Sequence, residues 1–112
     1  MELNPLYETI ITDLLENQYA VCDTFFSEEA VQIMRAELEH KFETSDFKKS
    51  AIGQNSDEII KDEIRGDYIF WLNEEDKNAA SETFFNQIND FVAYINATCY
   101  LGISNKEFHY AI

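Results

Sequence analysis

One proline and three glycines in 112 residues leave no room for a linker, a collagen-like repeat or a low-complexity tract. Two cysteines, Cys22 and Cys99, cannot build a disulfide framework, and neither belongs to a Cys-x-x-Cys metal pair. Basic residues are scarce as well. Eight Lys and Arg stand against 22 Asp and Glu, a formal net charge of −14. Such a chain repels nucleic acids and anionic membranes, which are bound through Lys and Arg, so neither is expected as a partner. No run approaches the ~18 apolar residues of a spanning helix. The start, Met-Glu-Leu-Asn-Pro, lacks the basic and apolar regions of a secretory signal. With free thiols, this favours a cytoplasmic setting. The glycines, at 53, 66 and 102, cannot form a Gly-x-Gly-x-x-Gly or phosphate loop, and no Gly-x-Ser-x-Gly elbow occurs.

What remains reads as one domain spanning 1–112. Hydrophobic residues at 46% and aromatics at 14% exclude intrinsic disorder. A chain of this length buries about two thirds of its unfolded surface, enough for a modest core. The carboxylates are spread along the whole sequence, which argues for solubility rather than for a dedicated acidic docking face.

Asn4 and Pro5 supply an N-cap and a first helical residue, and Leu6, Ile10 and Leu14, widened by Ile11 and Leu15, make a helical stripe that ends near Asn17. Tyr19-Ala20-Val21-Cys22 has the look of a short strand. Ser27 caps a second helix, with Phe26 and Val31 as a hydrophobic staple, Glu28 and Glu29 in the first turn, and Val31, Met34, Leu38 and Phe42 as the buried stripe. Residues 44–61 are poorly patterned and predict a long, functional loop. A strand follows over 64–72. Its apolar residues fall on both parities, which predicts cover on both faces. Residues 73–78 form a charged turn. A third helix over 79–96 buries Phe84 or Phe85, Ile88, Phe91 or Val92, and Ile95, with Gly102 as a helix-end residue. Phe108-His109-Tyr110-Ala111-Ile112 is a strand.

Metal chemistry finds little support in these residues. His40 and Glu43 lie at i, i+3 on one helix, but a third ligand is missing, and His109 is set in an apolar strand. Acidic pairs such as Glu28-Glu29 and Glu74-Glu75 look like cap and turn residues rather than an acid/base pair. Asn96-Ala97-Thr98 matches a glycosylation sequon that has no meaning without secretion. Arg65-Gly66-Asp67 stands out, because a glycine flanked by opposite charges weakens a strand and needs a reason. An adhesion tripeptide would need an exposed loop in a secreted protein. The other readings are a charge pair at the strand entrance, which spacing alone favours, and the lining of a binding cleft.

The stretch Glu63-Ile64-Arg65-Gly66-Asp67-Tyr68-Ile69-Phe70-Trp71-Leu72 resembles the Ile-Arg-Gly-Asp-x-Ile-x-Trp segment of Fe(II)/2-oxoglutarate-dependent prolyl hydroxylases, the group that includes the hypoxia-inducible-factor prolyl hydroxylases and bacterial relatives. The order of the flanking segments agrees over roughly residues 19–112. The resemblance implies an α+β fold: N-terminal helices packed on the first strands of an incomplete jelly-roll (double-stranded β-helix) domain. It implies Fe(II) on a His-x-Asp…His triad, 2-oxoglutarate held by an Arg and a Tyr, and hydroxylation of a protein or peptide residue in the complete domain. Onto this sequence it carries Arg65 and Asp67, which would fix the substrate-side loop, and Trp71, which would face or buttress the cleft. No His-x-Asp or His-x-Glu occurs, so the chain alone is expected to bind neither iron nor 2-oxoglutarate and to have no catalytic residue of its own.

Two functions are therefore in view. The chain is the N-terminal segment of such a dioxygenase, inactive by itself, or it is a non-catalytic acidic interaction module or regulator that pairs with a full-length homologue. Missing sheet strands would leave Tyr68, Phe70, Phe108 and Tyr110 without a facing sheet. That predicts an oligomer through an exposed strand edge, or a molten monomer.

Overall fold

Helix α1 (Pro5–Asn17) starts as its sequence dictates. The Asn4 side chain accepts the Tyr7 amide hydrogen at 3.1 Å, and Pro5 occupies the first turn, where an amide would go unused. It stops at Gln18, which turns left-handed (φ 68°) and returns its amide to the Leu14 carbonyl. The computed structural model describes residues 2–44 and 68–112, together with the backbone of 48–49, 51–52 and 59–60.

Only the first half of the α1 stripe enters the core. Ile10 is buried and Leu6 half-buried, whereas Leu14 and Leu15 remain on the surface, and Tyr7, outside the expected stripe, is the most deeply buried residue of the helix. The expected strand at 19–22 does not form. Tyr19 and Val21 stand exposed there, and an extended tetrapeptide gains nothing unless a neighbouring edge completes its ladder. Ser27 caps α2 (Glu28–Glu43) by accepting the Ala30 amide at 3.1 Å. The staple is not what fixes this end. Phe26 stacks on Phe84 at 5.5 Å, and Val31 is exposed. The inward row of α2 is Ala30, Met34, Glu37, Leu38 and Lys41, so Val31 and Phe42 lie at its margin. A small residue at position 30 lets this face approach its neighbours, and two polar residues complete the row.

Helix α3 (Ala79–Cys99) is held at its start by a capping box: Asn78 accepts from the Ala80 and Ser81 amides, and Ser81 accepts from the Asn78 amide. It runs three residues past the expected end and stops at Tyr100, itself left-handed (φ 56°), rather than at Gly102. The Asn96 side chain then clamps the outgoing chain, donating to the Ile103 carbonyl (2.9 Å) and accepting the Ile103 amide (2.8 Å). Thr98 donates to the Tyr94 carbonyl. Both polar residues of the sequon are thus engaged in intramolecular bonds.

The strands are β1 (Lys48–Lys49), β2 (Ala51–Ile52), β3 (Ile59–Ile60), β4 (Tyr68–Leu72) and β5 (Phe108–Ala111). They form antiparallel sheets ordered β1-β4-β5 and β2-β3, and a single 3-10 turn (Glu74–Asp76) occupies the expected charged turn. Among the described residues, three α-helices and antiparallel sheets make the α+β class expected from the sequence. In the β4–β5 pair, Phe70 faces Tyr110, Trp71 faces His109 and Leu72 faces Phe108.

One face of this pair is covered by helices. Phe108 lies against Phe84 and Phe85 of α3, Tyr68 meets Phe42 of α2, and Tyr110 is buried. Among the described residues Phe108 and Tyr110 are thus covered by helices α2 and α3 rather than by a facing sheet, while Tyr68 keeps 42% of its surface exposed. Ile69, on the opposite parity, is 0% exposed, so at this position the strand is buried on both faces. A second aromatic group joins α1 to α3. Tyr7 packs edge-on against Phe91 and Tyr94, each at 5.1 Å, and Phe25 closes on Phe91 at 5.5 Å.

Candidate functional site

A cleft lined by several polar groups opens where α2, β4 and the start of α3 meet, with a volume of about 160 Å3. Helix α2 contributes Glu37 and Lys41, one turn apart on the inward row. Strand β4 contributes Phe70, Trp71 and Leu72. The connection into α3 contributes Asn73, Asp76 and Asn78, and Ser81 completes the lining.

Glu37 is the centre of this network. Its Oε2 accepts from the Tyr110 hydroxyl at 2.6 Å, and its Oε1 accepts from Asn78 Nδ2. The carboxylate thus ties α2 to β5 and to the cap of α3. Burial, aided by the bond to Glu37 and its negative charge, raises the Tyr110 phenol far above its ordinary range. Tyr110 thus serves as a hydrogen-bond donor to Glu37. The Lys41 ammonium lies 4.7 Å from the centre of the Phe70 ring, a cation held over an aromatic face. The cleft is therefore lined by a cation, carboxylates at Glu37 and Asp76, two side-chain amides and an aromatic wall, with Glu37 and the Asn78 amide already bonded to each other. That set suits binding of a polar chain or a peptide group better than bond-breaking.

Trp71 lines this cleft from near the C-terminal end of β4, with its ring 5.2 Å from that of its cross-strand partner His109. Arg65 and Asp67 lie outside the described residues. His40 and Glu43 are exposed at the end of α2, and His109 is half-buried beside Trp71. Among the described residues, no three His, Cys, Asp or Glu side chains converge in a way that could hold a metal ion. Also among them, no helix is long and apolar enough to cross a membrane.

Sequence reasoning did not find Glu37, Lys41, Asn78 or Tyr110. A signal for the first two was present: positions 30, 34, 37, 38 and 41 form one helical row once Ala30 is admitted and polar residues are tolerated in it. Tyr110 and Asn78 carried no such signal, because their importance lies in long-range pairing with Glu37.

No protein-family model matches the sequence, and no curated protein matches it. The structure is similar to the crystal structure of a prolyl-4-hydroxylase from Pseudomonas putida, with a TM-score of 0.81 and 20% sequence identity. The match covers 96% of this chain and 55% of that chain, so the present sequence spans about half the length of its structural neighbour. At this identity the likeness establishes a prolyl-4-hydroxylase-like fold.

Proposed function

We propose that the chain is the helical and first-sheet portion of an Fe(II)/2-oxoglutarate-dependent oxygenase of the prolyl-hydroxylase kind, whose complete domain hydroxylates a residue of a protein or peptide. The observation that carries this reading is a TM-score of 0.81 over 96% of the chain, joined to the Ile64–Leu72 segment, whose second half is the central strand β4. In this reading α1, α2 and α3 brace the first strands of an incomplete jelly roll. Arg65 and Asp67 fix the substrate-side loop, and Trp71 forms a wall of the substrate cleft.

The described residues do not fit an iron site. A facial triad needs two histidines and a carboxylate together, and no such group is found among them. No step of the reaction is therefore assigned to this portion, and its task is mechanical and substrate-facing. A β4 buried at Ile69 on one face and packed on helices through the other is a rigid element from which Trp71 can hold a peptide.

The test is succinate formation coupled to peptide hydroxylation, with Fe(II), 2-oxoglutarate and a proline-containing peptide supplied. The 112-residue chain alone should be inert. The gene that encodes it should carry a His-x-Asp and a later His in frame beyond this segment, and the product containing them should turn over. A gene without such a motif, or turnover by the isolated chain, defeats the reading.

A further inference from the structure

Strand β4 presents Trp71 between two cross-strand pairs that the helices grip. On one side Phe70 faces Tyr110, and on the other Leu72 faces Phe108. Phe108 is held by ring contacts to Phe84 and Phe85 of α3. Apolar contact is non-directional, so it opposes separation of the layers more than a slide between them. The grip on Phe70 and Tyr110 is of another kind. Both halves come from α2, one turn apart: Glu37 Oε2 accepts from the Tyr110 hydroxyl at 2.6 Å, and the Lys41 ammonium lies 4.7 Å from the centre of the Phe70 ring.

A hydrogen bond of that length is directional, and it fixes the phenol oxygen along the helix as well as against it. Charged side chains are a costly choice for the inward row of a helix. Apolar residues of similar volume would hold the layers without the desolvation cost. What the charged pair adds is a position. Trp71 and its partner His109 form the next rung of the same ladder, with their rings 5.2 Å apart. A shift of the strand pair against α2 carries that rung with it.

We propose that Glu37 and Lys41 are positioning residues, which act through Tyr110 and Phe70 to set where β4 presents Trp71. The value of that placement for substrate recognition rests on the oxygenase reading. The placement itself is measured without turnover, so a failure here and a failure of the oxygenase reading are told apart.

Trp71 is the single tryptophan of the chain, so its fluorescence reports this one place. Variants of the chain are compared well below their melting temperatures by Trp71 emission and its quenching by acrylamide, and then by thermal melt. Tyr110→Phe keeps the ring and removes the bond; Lys41→Met keeps the stem and removes the charge. Both should shift the emission to the red and raise the quenching, Tyr110→Phe the more. Glu37→Gln retains an acceptor for Tyr110 and loses at Asn78, so it should melt lower while Trp71 emits as in the wild type. Tyr7→Phe removes another phenol–carboxylate bond, between α1 and α3, and should also melt lower with Trp71 unmoved. A Tyr110→Phe protein with wild-type Trp71 emission makes the bond a stability element alone and overturns the proposal. Equal shifts in Tyr110→Phe and Tyr7→Phe reduce the effect to general loosening and overturn it too, as do equal shifts in Tyr110→Phe and Glu37→Gln. An unmoved Lys41→Met removes Lys41 from the assignment. If Tyr110→Phe does not fold, Lys41→Met against Glu37→Gln and Tyr7→Phe decides by the same criteria.

Discussion

The Tyr7 hydroxyl donates to Asp90 Oδ2 at 2.7 Å, and so joins the first turn of α1 to the middle of α3 across more than eighty residues of sequence. The ring beneath that hydroxyl is 1% exposed, and Gln87 donates to the same oxygen at 3.2 Å. One side chain thus supplies core volume and a polar link together. Tyr7→Phe keeps the volume and removes the link. A hydrogen bond to a charged acceptor contributes about 1.5–3 kcal/mol, so equilibrium urea unfolding should show a loss of about that size. Tyr7→Ala should cost more, about 3–5 kcal/mol, because a cavity is added.

Alkaline pH should unfold this protein earlier than its acidity alone suggests. Burial, then the bond to Asp90 and its charge, pushes the Tyr7 phenol from 10.0 up to about 12. Tyr94 shifts the same way, first through its bond to Glu8, and Tyr110 shifts further through burial and Glu37. Below pH 10 the folded and unfolded chains both keep the Tyr7 proton, and its contribution to stability is complete. As pH rises from 10 towards 12 the unfolded chain releases the proton first, so stability falls across that window. Urea midpoints measured through it should decline, and the decline should be shallower in Tyr7→Phe. A flat profile would remove the tyrosine account.

Glu37 should prove structural before it is anything else. Glu37→Leu strands the Tyr110 hydroxyl in a buried place and frees Asn78, at a cost of about 1–3 kcal/mol. Glu37→Gln retains one acceptor, enough for Tyr110, but turns an amide N–H towards Asn78 Nδ2, so it should recover only part of that loss. Thermal melts of the two variants separate these outcomes, and equal destabilisation would show that the negative charge, rather than the acceptor, matters.

Gly102→Ala should be mild. The backbone there is left-handed (φ 69°), but an added methyl group would meet nothing within 4 Å. The cost is conformational, about 1 kcal/mol. Asn96→Ala, three residues inside α3, should do more local damage, because it removes both bonds to Ile103. Hydrogen exchange at the Ile103 amide should accelerate strongly in Asn96→Ala and little in Gly102→Ala.

Helix starts were legible because they are local events. Asn4, Ser27 and the turn before residue 79 announce themselves by residue type, and each helix begins within a residue of where those signals place it. What periodicity could not reveal was the level to which each stripe is buried. Leu14, Val31 and Phe42 have the spacing of core residues but stay more than two fifths exposed, and that depends on how distant elements pack. The strand at 19–22 failed for a related reason: a strand is defined by its partner, which no tetrapeptide encodes. At the site, Trp71 was legible through a motif. The Glu37–Tyr110–Asn78 network was not, since it joins three elements far apart in sequence, two of them through residues that look ordinary in isolation.

Asn78 serves two masters. Its side-chain oxygen nucleates α3, and its side-chain nitrogen grips Glu37 on α2. Fraying at the head of one helix must therefore loosen the lateral grip on the other, and the pair should open as a single cooperative unit rather than in sequence. Any ligand that tightens the wall between them would slow exchange in both helices at once, a long-range response built from one amide.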